Sequence, residues 1–266
     1  MEDNLEKSIS NKQLRKIIDL QLVDGSWGRF HSLAQPTKAR PMTTEQALRR
    51  LRALGFTRDD EPIARALDYM RACLAGKLQL PDRREKVLNW DAFEAHMLSA
   101  WIRCFAPEDP LALPIAKLWA DLITTAFQSG QYDEDAYAQA YRARIPVLHR
   151  GERRIAVAQF YMVELLKGML DEGTESRFLD YILHNPGGIY YVYDACIANP
   201  PPVFASKQTS RYIAALELLA SYPTAPAKLR FAKDWLLANK NADGAWDPVS
   251  AARDIALRIE RLLHHL

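Results

Sequence analysis

Two runs of acidic residues form the densest groups of proton-transferring side chains in this sequence, Asp59-Asp60-Glu61 and Asp133-Glu134-Asp135. Neighbouring carboxylates shift one another's pKa values and can serve as general acids or bases. The first run, however, precedes a segment with proline in its first turn, and the second follows a glycine turn. Acidic residues in such places are typical of helix N-termini, where the helix dipole favours negative charge by about 0.3–1 kcal/mol. Both runs are therefore interpreted as structural.

The common sequence motifs of nucleotide, redox and hydrolytic sites do not occur in the chain. It has no phosphate-binding glycine loop, no Cys-x-x-Cys, no serine in a nucleophile-elbow context and no His-Glu-x-x-His. The six histidines are dispersed: His31, His96, His149, His184, His264 and His265. Any reactive or binding site must therefore be assembled by folding from distant residues.

Composition limits the kind of fold that could position such residues. The 266 residues are 48% hydrophobic, enough for a sizeable core, and the formal net charge of +2 indicates neither a nucleic-acid partner nor attraction to a membrane. Three scattered cysteines do not suggest a disulfide framework. The polar, charged start lacks a signal-peptide core, and no stretch approaches the roughly 18 apolar residues of a membrane span. We therefore expect a cytoplasmic protein without a transmembrane segment.

Helical periodicity dominates the sequence. Residues 43–55 place apolar side chains at helix spacing and end at Gly55, a suitable C-terminal cap. The pattern recurs at 59–76, 89–105, 109–127, 153–170, 209–222 and 227–240. A last helix is predicted from about Ser250. The short apolar run Ile189–Tyr193 follows a double glycine and is predicted to be an extended turn. The sequence thus predicts an all-α fold.

A glycine-based turn is repeated along the chain. Gly25-Ser26-Trp27 near one end corresponds to Gly244-Ala245-Trp246 near the other. Weaker copies end at Leu78, Tyr132 and Tyr190, so the last residues of the five triplets stand at 27, 78, 132, 190 and 246. Each interval holds about two helices, which is typical of a repeat of helical hairpins.

The turn has a plain physical interpretation. Glycine adopts positive φ, which costs other residues about 1 kcal/mol or more, and the aromatic side chain then folds back over the preceding helix end. We therefore assign structural rather than catalytic roles to the repeat residues Gln21, Gly25, Trp27, Gly130, Tyr132, Gly188, Tyr190, Gly244 and Trp246.

Gln21 to Trp27 resembles the glutamine–tryptophan repeat, Gln followed by Gly-x-Trp, of squalene and other triterpene cyclases. Lys240 to Trp246 is similar, with Lys in place of Gln, and the protein prenyltransferase β subunits are similar as well. The resemblance implies an α/α toroid of about five to six helical hairpins around a central cavity. It implies a single domain over residues 1–266, whose first helix, about Asn4 to Leu22, packs on the last one to close the ring. An open helical solenoid is the alternative.

The resemblance does not extend to the catalytic motifs of those families. Triterpene cyclases protonate their substrates with Asp-x-Asp-Asp, and another terpene synthase class holds magnesium and diphosphate with Asp-Asp-x-x-Asp; neither occurs here. Prenyltransferases bind zinc with Asp, Cys and His, and Asp194-x-Cys196 resembles part of that set. The position that the resemblance implies for the histidine is Leu257, and His264 and His265 lie further along. A catalytic zinc needs about three protein ligands. The sequence therefore favours no metal and no cofactor. Without a zinc ion, Cys196 is interpreted as a buried apolar residue and Asp194 as a helix cap.

The resemblance also implies a ligand pocket. Toroids of this kind line the cavity mouth with residues near the starts of inner helices. The corresponding pocket candidates are Trp90, Asp91, His96, Arg154, Tyr161, Tyr193, Asp194, Arg211 and Tyr212. An aromatic wall suits an apolar or isoprenoid ligand, and Arg154 and Arg211 suit an anionic head group. The alternative is that the aromatic residues belong to the core and the arginines are solvated or ion-paired.

The functional hypothesis is a toroid that binds an apolar, isoprenoid-like small molecule in its central cavity. A non-catalytic scaffold that binds a partner protein is the alternative. The sequence does not decide whether the chain is an enzyme. If it is one, the resemblance implies a prenyltransferase-like or terpene-cyclase-like activity, with a zinc-dependent transferase at Asp194 and Cys196 as a third interpretation. The role of residues 130–152 stays open, because the helix-like segment 134–144 is surplus to the two-helix repeat.

Overall fold

The computed structural model describes residues 14–31, 33–34, 37–246 and 255–266. Within these residues the regular structure consists of helices, with isolated bridges and no strand. The all-α prediction is therefore confirmed.

Residues 14–19 are helical, and eleven further helices are numbered here in chain order. They are α1 Thr44–Ala53, α2 Glu61–Leu74, α3 Trp90–Phe105, α4 Leu113–Ala126, α5 Glu134–Arg144, α6 Phe160–Leu165, α7 Glu172–His184, α8 Lys207–Leu219, α9 Ala225–Lys228, α10 Arg230–Ala238 and α11 Ile255–His265.

The chain divides into two compact units. Unit 1 comprises Met1–Lys86 and Met97–Leu113, and unit 2 comprises Val87–His96 and Pro114–Leu266. Helix α3 contributes its first residues to unit 2 and the rest to unit 1. The single-domain description of residues 1–266 stays a prediction.

Local sequence explains where the early helices begin. Thr43 caps α1, since its hydroxyl accepts from the Gln46 N–H while the Gln46 side chain accepts from the Thr43 N–H. Asp60 precedes α2, which has Pro62 in its first turn. Asp133 caps α5 by accepting from two backbone N–H groups, so the acidic run 133–135 does lie at a helix N-terminus.

The predicted helix over 153–170 is much shorter in the structure. Only Phe160–Leu165 is helical as α6. The residues before it are extended: the Arg153 N–H donates to the Val87 carbonyl at 2.7 Å, and the Tyr190 N–H donates to the Ala158 carbonyl at 3.0 Å. Because distant segments take up this backbone hydrogen bonding, apolar spacing alone misplaced the start of the helix.

The two clean glycine turns fold alike. The Leu22 N–H donates to the Ser26 carbonyl at 2.7 Å, and 219 residues later (241 − 22) the Asn241 N–H donates to the Ala245 carbonyl at 2.8 Å. Gly25 and Gly244 have φ values of +91° and +76°. The sequence likeness therefore reflects one backbone conformation.

Both tryptophans fold back onto the helix that precedes their turn. The Trp27 indole N–H donates to the Ile17 carbonyl at 2.6 Å, and the Trp246 indole N–H donates to the Leu236 carbonyl at 2.8 Å, each ten residues back. Both rings are buried. At the first position of the motif, the first turn has Gln21 and the second has Lys240, and these two side chains make different contacts.

Gln21 donates to the Gly25 carbonyl at 2.9 Å and to the Pro62 carbonyl of α2 at 2.8 Å. Lys240 instead lies over the Trp246 ring, with its ammonium 4.7 Å from the ring centre. An amide links a turn to a neighbouring helix through two directed hydrogen bonds, whereas an ammonium covers an indole by cation–π attraction. The substitution of Lys for Gln therefore changes the contact and leaves the turn intact.

The weaker copies at Gly130 and Gly188 keep the glycine conformation, but only the first keeps the role of the aromatic residue. Gly130 and Gly188 have φ values of +99° and +62°. Tyr132 packs against Phe127, with ring centres 5.6 Å apart. Tyr190, in contrast, is 57% exposed and does not cover the preceding helix end.

The last helix packs within unit 2. Arg258 of α11 forms two hydrogen bonds, of 2.9 and 2.6 Å, with the Glu217 carboxylate of α8. Residues 1–13 of the predicted first helix and residues 247–254 at the predicted start of the last helix lie outside the described residues.

Along the part of the chain that the structure describes, no helix combines the length and the apolar character that are needed to cross a membrane.

Candidate functional site

Three of the pocket candidates lie together in unit 2. Trp90 and His96 are on α3, and Tyr161 is on α6. Phe93 lies between them, with its ring centre 5.6 Å from Trp90 and 5.8 Å from Tyr161, and the Tyr161 ring is 6.4 Å from His96. The name Tyr161 cluster is used below for Trp90, Phe93, His96, Tyr161 and Tyr191.

Tyr191 covers Tyr161 in this cluster. Their ring centres are 5.4 Å apart, and Tyr190 lies 4.1 Å beyond Tyr191. Tyr191 is the non-glycine residue with positive φ among the described residues, at +73°. This conformation costs a residue with a side chain about 1–2 kcal/mol. Exposure therefore increases along this row of rings: Tyr161 is fully buried, Tyr191 is half-buried and Tyr190 is exposed.

His96 is the unusual polar member of the Tyr161 cluster. Its side chain is fully buried, and its ring packs on Trp119 with 4.5 Å between centres. Neither ring nitrogen has a hydrogen-bond partner among the described residues. Burial lowers the pKa of His96 from its ordinary value to about 3. The imidazole is therefore neutral at physiological pH and presents one donor and one acceptor within an aromatic environment.

A second group of candidates lies at a different place in unit 2. The rings of Tyr193 and Tyr212 are 5.4 Å apart, and the Tyr212 hydroxyl donates to the Ile197 carbonyl at 3.2 Å. Arg211 lies 3.7 Å from Asp194, and both side chains are exposed. These four residues form a packed tyrosine pair beside a surface ion pair.

The Asp194 and Cys196 pair has local partners. The Cys196 thiol donates to the Leu183 carbonyl at 3.3 Å, and the Asp194 carboxylate faces Arg211. No helix starts at Asp194, since the next one begins at Lys207, so the helix-cap interpretation of Asp194 is wrong. Within the described ranges, no three His, Cys, Asp or Glu side chains are grouped closely enough to hold a metal ion.

The remaining two candidates are surface residues. Arg154 donates to the Glu134 carboxylate at 2.5 Å, and Glu134 also accepts from the Tyr132 hydroxyl at 2.6 Å. Asp91 is exposed in the first turn of α3. Arg154 is therefore ion-paired with α5, which agrees with the alternative given above for that residue.

The hydrogen bond from Tyr132, followed by the contact with Arg154, holds the pKa of Glu134 below its ordinary value, against the opposing effect of burial. A depressed carboxylate pKa contributes stability above the unfolded-state pKa and loses it as pH falls through the folded-state value. We expect Tyr132→Phe to raise the Glu134 pKa toward its ordinary value, as measured by NMR titration of the side-chain carboxyl carbon. Arg154→Ala should raise it less. An unchanged pKa in Tyr132→Phe would contradict the assignment.

Comparison with known proteins gives no assignment. No model of a protein family, no curated protein and no solved structure matches this chain. Its function must therefore be argued from the site itself.

Sequence reasoning did not select Phe93, Trp119 or Tyr191. Phe93 could have been predicted from the sequence, because Trp90, Phe93 and His96 are spaced by three residues and so share one face of α3. Tyr191 carried no such signal, since its positive φ follows from the turn that Gly188 begins. Trp119 lies on a different helix, α4, and only folding brings it to His96.

The geometry of the Tyr161 cluster suits binding better than acid–base catalysis. A histidine whose pKa is about 3 is not an effective proton donor or acceptor near neutral pH. A neutral imidazole surrounded by aromatic rings can instead hydrogen-bond an uncharged polar group on an otherwise apolar molecule. No member of the Tyr161 cluster carries positive charge, so the cluster itself offers nothing to a diphosphate.

Proposed function

We propose that this chain binds an apolar, isoprenoid-like small molecule among the aromatic side chains of the Tyr161 cluster. The observation that carries the proposal is the buried, neutral His96, whose ring nitrogens have no partner among the described residues. An unsatisfied buried polar group costs about 1–3 kcal/mol, and a hydrogen-bonding ligand would recover that free energy. An apolar molecule with a hydroxyl or carbonyl group fits this environment.

The route to the cluster in this proposal runs past Tyr191 and Tyr190. His96 and Tyr161 are fully buried, so a ligand reaches them only if a covering side chain moves. Tyr191 is the covering residue with a strained backbone, and a change to ordinary φ would release that strain. In this proposal, displacement of Tyr191 opens the cluster.

We further propose that the fold is the α/α toroid of the terpenoid cyclase and protein prenyltransferase superfamily. Support comes from the two matching glycine–tryptophan turns, one near each end of the chain, and from the predominance of helices among the described residues. The proposed activity is ligand binding, because the acidic motifs with which cyclases protonate their substrates do not occur in the sequence.

The direct test is to identify what binds. Mass spectrometry of organic extracts of the purified protein should show a co-purifying apolar molecule. Farnesol should raise the melting temperature of the protein, and farnesyl diphosphate should do so less. An empty protein whose melting temperature responds to neither compound contradicts the proposal.

The matched variant is His96→Leu. Leucine has a similar size and no polar atoms, so we expect farnesol binding to fall at least about tenfold when one buried hydrogen bond is lost. The control is His265→Leu, which removes an exposed histidine of α11 and should leave binding unchanged. Equal affinity of the two variants would place the ligand elsewhere.

The same variant has a predicted effect on stability. Because the folded-state pKa of His96 is lowered to about 3, the unfolded chain takes up a proton below pH about 6.5 and the folded chain does not. The wild type therefore loses stability as pH falls from 6.5 toward 3, and His96→Leu does not lose this contribution. We expect the leucine variant to gain about 2 kcal/mol relative to the wild type between pH 7 and pH 5 in urea unfolding. A constant difference between the two proteins across this range would contradict the burial of His96.

A protein-interaction scaffold is the second candidate function. The observation that favours it is the tight packing of the pocket candidates, since Trp90, His96 and Tyr161 are all at most 7% exposed. If extracts contain no ligand and His96→Leu is simply more stable, the cluster is core and the scaffold becomes the preferred function.

A further inference from the structure

A loop of unit 2 carries exposed aliphatic side chains. Residues 146–151, Pro-Val-Leu-His-Arg-Gly, are all exposed. Val147 and Leu148 are 56% and 60% exposed. Exposed single aliphatic residues are ordinary, but two adjacent ones in a loop form a small apolar patch. The name tip loop is used below for residues 146–151.

The base of the tip loop is held by buried polar side chains. The Asn89 amide donates to the Pro146 carbonyl at 2.9 Å, and the Glu152 carboxylate accepts from the Leu148 N–H at 3.0 Å. The Glu152 side chain is only 2% exposed. These contacts fix the loop conformation in which Val147 and Leu148 point to solvent, so the exposure is built into unit 2.

Four arginines accompany the tip loop. Arg142, Arg144, Arg150 and Arg153 are exposed, and none forms an ion pair with a residue that the structure describes. The adjacent Arg154, in contrast, is paired with Glu134. Val87, which is 49% exposed, is joined to Arg153 by a backbone hydrogen bond and adds a third apolar side chain next to the loop. The region is therefore both apolar and positively charged.

We propose that the tip loop binds the surface of anionic lipid bilayers. Aliphatic side chains insert below the head groups, while arginines keep their guanidinium groups at the level of the lipid phosphates. Each basic residue near an anionic surface strengthens binding about fivefold, so four unpaired arginines together give a large effect. The proposal rests on this loop alone and is independent of the ligand of the Tyr161 cluster.

A bilayer fits these features better than an acidic protein does. A protein partner would need a surface whose apolar and acidic groups both match this loop in shape. A bilayer is deformable and accepts the exposed Val147–Leu148 pair without shape complementarity. It also presents many mobile anionic head groups, which can pair with several arginines without a fixed arrangement.

The test is co-sedimentation of the intact chain with two kinds of vesicle, phosphatidylcholine alone and phosphatidylcholine with phosphatidylserine. We expect the chain to bind only the vesicles that contain phosphatidylserine. Added salt should weaken this binding, because it screens the attraction between the arginines and the lipid head groups. The double variant Val147→Ser and Leu148→Ser should bind at least about tenfold more weakly, as should Arg150→Ala combined with Arg153→Ala. The control is Val203→Ser, which removes an equally exposed valine (61%) of another loop and should bind like the wild type.

Three results would overturn the proposal. The first is no sedimentation with either vesicle. The second is equal binding of the Val147 and Leu148 double variant and the wild type. The third is tight, salt-sensitive binding to polyglutamate without vesicle binding, which would assign the loop to an acidic protein. Far-UV circular dichroism of each variant checks that a loss of binding does not come from unfolding.

Discussion

Gly25→Ala is expected to destabilise the protein by about 3–4 kcal/mol, the sum of a strained backbone and a steric clash. Gly25 has a φ of +91°, and a Cβ atom there would lie 2.2 Å from the Arg65 carbonyl oxygen of α2. That oxygen belongs to helix backbone and cannot move independently. Relief of the clash therefore requires α2 to shift away from the turn, which breaks the hydrogen bond from Gln21 to Pro62 as well.

The matched control is Gly244→Ala in the equivalent turn. Gly244 has a similar φ of +76°, but a Cβ atom there meets no atom of the described residues within 4 Å. The expected cost is only the backbone strain of about 1 kcal/mol. Urea unfolding followed by circular dichroism and tryptophan fluorescence would measure both. Equal losses of unfolding free energy in the two variants would contradict the predicted steric clash between the first turn and α2.

Asp109→Ala is expected to cost about 3 kcal/mol or more. The buried Asp109 carboxylate accepts from the Arg71 guanidinium at 2.7 Å and from the Leu111 N–H at 3.0 Å and the Ala112 N–H at 3.3 Å. It thus joins α2 to the turn before α4 within unit 1. Removing it leaves two backbone donors without their acceptor and the half-buried Arg71 guanidinium with only the exposed Asp68 carboxylate, 3.1 Å away. Such losses are larger than the net value of the bonds.

Asp109→Asn separates the two contributions. Asparagine keeps an oxygen for the backbone donors but loses the charge that attracts Arg71, so we expect a cost of about 1–2 kcal/mol. Chemical denaturation at neutral pH measures the loss of unfolding free energy in both Asp109 variants. If the asparagine variant were as unstable as the alanine variant, the ion pair rather than the turn would be the main contribution.

The helical part of the fold was predictable because its signals are local. Each signal acts on backbone only a few residues away. The signals are periodic apolar residues, the capping pair Thr43 and Gln46, Pro62 after acidic residues, and Asp133 before α5. The failure over 153–170 has the opposite cause. Its apolar spacing suits a helix, yet backbone hydrogen bonds to residues near 87 and 190 keep residues 153–159 extended.

The candidate site was predictable only in part. Trp90, His96 and Tyr161 were selected from the sequence, and the structure places them in one cluster. Arg154 and Arg211 were selected for a charged ligand head, but each faces a carboxylate, Glu134 or Asp194. No local pattern distinguishes an arginine that faces a pocket from one that pairs across a surface.

The sequence by itself determined that this protein is helical and that the same glycine–tryptophan turn stands near each of its ends. Turn type depends on which residues tolerate positive φ, and this is a property of the residue and its immediate neighbours. Only the tertiary structure decided that Gly25 lies against α2, while no atom of the described residues lies within 4 Å of a Cβ position at Gly244. It likewise decided that His96 is enclosed by Trp119 and Tyr161 without a hydrogen-bond partner among the described residues. Burial and close contact depend on segments that are far apart in the chain, and composition and spacing carry no record of them.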